Sequence, residues 1–229
     1  MKAYYLFCIL VLTAFSCAAQ QTVERKEKLY NNITEKYHVL ADSPEVKHGL
    51  YQAFFNKKTA IASGQYLRGK KTGVWHFYNS AGKVLQHYNY DAQKVLYEAR
   101  EDTTSAIRYM LDDAFTSKDT VVKAIKAGGT YYGYLPYLKN FVLPPDLNGA
   151  NTTMFNAVVE LLVSPGGRLA GYKIRVVSPI FQYNKAAKMN PDILAEEDKV
   201  FIPAMLNGKP VAASIFITCR ITGGGKLEY

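Results

Sequence analysis

The chain has 229 residues, 48% of them apolar and 21% charged, with a formal charge of +9. That apolar share supports one large packed domain or two small ones and excludes a disordered polyelectrolyte. The basic charge comes without a run of four Lys/Arg or a recognition-helix pattern, which argues against a nucleic-acid partner.

Met1-Lys2, the apolar run Ala3–Phe15 and then Ser16-Cys17-Ala18-Ala19-Gln20 read as a secretory signal. The run is short of the about 20 residues a membrane span needs. Cys17 and Ala19 place small residues at −3 and −1, so cleavage is expected before Gln20, with residues 1–19 removed. The alternative is a lipoprotein acylated at Cys17. Either way an exported chain with no transmembrane span is expected, in the periplasm or at the outer-membrane periphery of a Gram-negative bacterium. Cleavage before Gln20 leaves Cys219 as the lone cysteine, on the apolar side of its strand, and it reads as a buried small hydrophobe.

Residues 20–28 are polar and hold at most a short helix. Ile33–Leu40 reads as a strand ending at Ala41-Asp42-Ser43-Pro44. An internal repeat follows. Gly49 and Gly73 are 24 apart, as are Tyr51 and Trp75, Phe54 and Tyr78, Ala60 and Val84, Ile61 and Leu85, and Tyr66 and Tyr90. Each unit reads as a β-hairpin that cannot bury its apolar face alone and stacks on its neighbour. The run GQYLRGKKTGVWHFYNSAGKVLQHYNY resembles the MORN-like hairpin repeats of the YwqK antitoxin-type family, over about residues 33–98. The resemblance implies a β-hairpin repeat scaffold for 20–98 and names no partner.

Ala106, Tyr109-Met110, Ala114, Val121 and Ala124-Ile125 predict a helical linker over 99–126. Beyond it, Met154–Val163 and Leu169–Val177 alternate as strands about the turn Ser164-Pro165-Gly166-Gly167. Asn190-Pro191-Asp192 fits a helix N-cap with Pro at the first turn, predicting a helix to about Lys199. Pro203-Ala204 leads to the turn Asn207-Gly208 and to Lys209-Pro210-Val211. A period-2 strand follows, with Ile215, Ile217 and Cys219 facing the core. Residues 223–229 open on Gly223-Gly224-Gly225 and are expected to be a flexible tail.

Gly128-Gly129, Tyr134-Leu135, Tyr137-Leu138, Pro144-Pro145, Pro203-Ala204 and the Gly-Lys-Pro-Val turn occur in the order found in TonB C-terminal domains. The stretch 127–222 resembles that module, with Phe201 where the family has Trp. The resemblance implies a three-stranded antiparallel sheet packed on helices, and with the repeats an α+β chain. It also implies partner binding by strand addition. The final strand would then present Ser214, Phe216, Thr218 and Arg220, with Phe216 the one large apolar group among them.

No serine elbow, phosphate loop or metal-spaced cluster is present, so neither an enzyme nor a cofactor or metal is expected. In the 74–90 hairpin His76 and His87 are not expected to lie directly opposite one another. The reading is a non-enzymatic adaptor that binds envelope proteins. The alternatives are a TonB-type transport adaptor acting on an outer-membrane receptor, or an exported cell-wall enzyme subunit.

Overall fold

A computed structural model describes residues 21–100 and 105–229, so the expected leader and the Cys17 alternative lie outside the described residues. Seven strands pair in chain order as one antiparallel meander: β1 (Thr22–Tyr30), β2 (Ile33–Leu40), β3 (Lys47–Phe55), β4 (Thr59–Leu67), β5 (Lys70–Tyr78), β6 (Val84–Asn89) and β7 (Lys94–Glu98). The repeat copies are the hairpins β3–β4 and β5–β6. Alternation puts Tyr51, Ala53, Ile61, Trp75, Phe77 and Tyr88 on one face, where all are buried. Tyr51 and Trp75, equivalent in the repeat, lie ring to ring at 5.2 Å.

Gly64 makes that row possible. A Cβ there would stand 2.2 Å from the Trp75 ring, so the indole lies flat on bare backbone.

The second half adds β8 (Ile107–Leu111), β9 (Val121–Val122) and two single helical turns, α1 (Gly129–Tyr132) and α2 (Leu135–Leu138). Then come β10 (Asn156–Val163), β11 (Leu169–Ser178), β12 (Tyr183–Lys188), β13 (Ala204–Leu206), β14 (Lys209–Val211), β15 (Ala213–Ile221) and β16 (Leu227–Glu228). The second sheet runs β12-β11-β10-β15, and β8 and β16 share the far side of β15. A small third sheet is β14-β13-β9. The aromatic segment carrying α1 and α2 lies between the two large sheets. Tyr132 stacks on Phe77 at 5.6 Å, and Tyr137 meets Tyr172 edge-on at 5.7 Å. The expected buried Cys219 is 1% exposed, and burial pushes its thiol up to about 12.

The α+β class is overturned: strands hold 52% of the described residues and helical turns 10%. Among the described residues no helical segment exceeds four residues, so there is no three-stranded sheet packed on helices. In the predicted linker, the period-2 set Ile107, Tyr109, Leu111 wins over the helical spacing because β15 offers a side to pair with. At Asn190 the cap forms, its side chain accepting from the Asp192 N–H at 2.9 Å. Leu194 is already extended, and only two 3-10 turns follow, Pro191–Ile193 and Glu196–Lys199. Residues 22–30 are a strand rather than a short helix. The expected tail folds back as β16, with Leu227 fully buried and its carbonyl accepting from the Tyr30 hydroxyl at 2.8 Å.

His76 and His87 are Cα partners after all, because the β5–β6 ladder shifts by one residue between Phe77 and Tyr78.

Trp75→Ala should cost about 3–5 kcal/mol in denaturant melts, as emptying a large core site does. Gly64→Ala should cost about 1–3 kcal/mol by overpacking. In the double variant the alanine at 64 meets no ring, so its added cost should fall close to zero. Additive losses would show that the ring does not lean on Gly64.

Candidate functional site

Ser214, Phe216, Thr218 and Arg220 share the outer face of the second sheet, with Thr218 and Arg220 exposed and the other two half-buried. Their strand is interior. Partners on β10 run from Ala213 to Arg220, while β8 takes residues 213–217 and β16 takes 220–221 on the other side. Thr218 donates its N–H to Ala106 O at 2.8 Å, filling the gap between them. Strand addition to β15 therefore has no open ladder to join, and the reason is the strand formed where a linker helix was expected. Beside Phe216 sits buried Glu160, held by Arg175 at 2.7 Å and Lys173 at 2.6 Å. Burial works to raise the Glu160 pKa, but these two partners outweigh it and hold the carboxyl below its usual range.

The large concavity lies elsewhere. A cleft of about 630 Å³ opens between the inner face of the repeat sheet and the segments 126–139 and 197–203. Its walls carry Tyr51, Tyr66, Tyr88, Tyr90 and Tyr132 together with five lysines and three carboxylates. Two of the lysines are repeat equivalents, since Lys47 and Lys71 are 24 apart. Lys47 Nζ lies 4.1 Å from the Tyr37 ring centre and 5.1 Å from that of Tyr51. Lys71 Nζ lies 5.2 Å from Trp75 and 5.4 Å from Tyr90. Each copy thus sets an ammonium over its own aromatic rings. Each ammonium also has a carboxylate at 3.1 Å, Glu35 for Lys47 and Glu197 for Lys71. Burial alone would lower the Lys71 pKa. Tyr90, Tyr132, Tyr66 and Glu197 outweigh it and hold the pKa well above the ordinary value.

Lys126 is the opposite case. It is 5% exposed, and Nζ donates to the carbonyls of Glu197 at 2.7 Å and Val200 at 3.1 Å. Burial lowers its pKa to about 8, with Asp198 and Glu197 pulling the other way. Behind it, buried Gln86 donates to Lys126 O at 3.2 Å and accepts from the N–H groups of Gly128 at 2.9 Å and Gly129 at 3.1 Å. The Gly-Gly pair has φ of +120° and +65°, and a Cβ on Gly128 would come within 2.4 Å of Gly133. That turn delivers Tyr132, whose hydroxyl meets the Tyr51 hydroxyl at 2.7 Å across the cleft floor. Burial pushes the Tyr132 pKa up to about 12, against the nearby charge of Lys71 and the Tyr51 hydrogen bond, which both pull it down.

Sequence reasoning missed this site. The repeat offset applied to lysines as well as to rings would have flagged Lys47 and Lys71. Nothing local pointed to Lys126. Among the described residues no group of three or more metal-ligating side chains occurs, and no helix is long and apolar enough to cross a membrane. No family model, curated protein or solved structure matches the chain.

The Lys126 geometry has a measurable consequence. Its folded pKa lies below the unfolded value, so between about pH 8 and about pH 10 the unfolded chain binds more protons and stability rises with pH. From about pH 7 to about pH 9.5 the gain should be on the order of 2 kcal/mol in urea melts. The raised tyrosine pKa values act with the opposite sign above about pH 10. In Lys126→Met the rise should vanish, and a rise that persists would assign it to other groups.

Proposed function

We propose that the chain is an exported, non-enzymatic interaction protein of the bacterial envelope, and that its cleft receives an extended acidic segment of a partner protein. The observation that carries the reading is the cleft itself, built from both halves, with tyrosine walls and lysines outnumbering carboxylates five to three. Tyrosine supplies rigid contact area with a polar tip, and ammonium groups held near rings favour carboxylate-bearing chains. The resemblance of 33–98 to MORN-like scaffolds supports a binding role, as the leader reading supports export. The adaptor reading no longer needs β15, because the partner surface is the cleft.

Lys70 and Lys139 line the cleft and are both exposed, so their reversal should leave the fold intact. The test is a pull-down from envelope extracts with a tag placed ahead of β1, where residues 21–28 are all exposed. Wild type should retain partners that soluble poly-glutamate competes away. Lys70→Glu/Lys139→Glu should retain about tenfold less or lower, about 1.4 kcal/mol of binding, with unchanged circular dichroism. The same partners at the same recovery on both proteins would overturn the cleft as the site.

A further inference from the structure

On the outer face of the repeat sheet, away from the cleft, two histidines stand side by side. His76 on β5 and His87 on β6 are cross-strand partners, with ring centres 4.5 Å apart and planes at 86°. The type of pair follows from the ladder. Tyr90 donates its backbone N–H to Gly73 O at 3.0 Å, which makes Gly73 and Tyr90 a hydrogen-bonded pair. Pair types alternate along an antiparallel ladder, so three steps on His76 and His87 form a non-hydrogen-bonded pair. In such a pair the Cα atoms sit about 4.5 Å apart and the side chains approach most closely.

Two imidazoles at that spacing are a bidentate donor set. Both rings are half-exposed, and the ring torsion of histidine is soft, so each can turn a nitrogen toward a shared ion. Imidazole suits borderline divalent ions, and the order of affinity peaks at copper. We propose that His76 and His87 form a two-histidine chelate for a divalent transition-metal ion, Cu2+ ahead of Ni2+ and Zn2+, with water filling the remaining positions. The neighbours are polar and solvent-facing. Tyr97 on β7 is the partner of His87, with ring centres 5.5 Å apart, and Ser63 on β4 is the partner of His76. A bound ion would tie the second repeat hairpin across its two strands and stabilise the folded state by mass action.

The test uses the full mature chain, titrated with copper chloride in a non-coordinating buffer and followed by calorimetry and electron paramagnetic resonance. One Cu2+ with hyperfine coupling to two imidazole nitrogens is expected, and the melting temperature should rise until a chelator is added. His76→Ala and His87→Ala should each weaken binding about tenfold or more, because the second donor no longer acts at high effective concentration. His76→Gln repeats the test with a polar residue of similar reach, and His48→Ala should change nothing. Binding of wild-type strength in His76→Ala, His76→Gln or His87→Ala, with native circular dichroism, would place the copper elsewhere and overturn the proposal.

Discussion

The side-chain amide of Gln86 is the joint on which the two halves turn. One buried amide meets three backbone groups of the 126–129 turn at once. Each buried backbone group left unmet would cost about 1–3 kcal/mol. The turn must also be glycine at both positions, since Gly129 approaches the Leu85 Cβ to 3.2 Å from a would-be Cβ of its own. From this joint the chain sends Lys126 one way, into the carbonyls of 197 and 200, and Tyr132 the other, onto Tyr51 and Phe77. The cleft is the space left between those two reaches.

Much of the repeat sheet was legible because its residues obey a single local rule. The strand Ile33–Leu40 and the equivalence of Tyr51 with Trp75 follow from period-2 alternation and the 24-residue offset. The second half was legible only where strands are buried on one face, as in β10, β11 and β15. β12 carries Tyr-Asn-Lys-Ala-Ala-Lys, with no alternation, and becomes a strand only because β11 offers it a ladder. β8 is the instructive miss: Ile107 to Leu111 fits helix and strand templates, and a distant strand decides between them. The glycines at 223–225 looked like a flexible tail, yet they are the turn that aims Leu227 into the core.

The candidate site was harder to see for an electrostatic reason. Lysines in a basic chain read as surface, and only the 24-residue offset between Lys47 and Lys71 marks any of the five in the cleft. What Lys47 and Lys71 share in space is the rings below them, one on the lysine's own strand (Tyr51, Trp75) and others on neighbouring segments (Tyr37, Tyr66, Tyr90). Lys126 is distinguished only by the carbonyls above it, some 70 residues away in the chain (71 and 74). Sequence spacing records contacts within a hairpin. It does not record a cleft closed by a segment arriving from the far half.

The hydroxyl of Tyr30 and the backbone of Leu227 hold one another from 197 positions apart. Contacts of such separation form late, because closing so long a loop costs entropy before any packing is gained. A chain emerging from its first residue onward therefore makes the aromatic row of the repeats long before the segment that covers it. During that interval Tyr51, Trp75 and Phe77 face solvent as a broad apolar sheet. The row is covered once Tyr132 arrives, and the Tyr30–Leu227 contact is among the last to close.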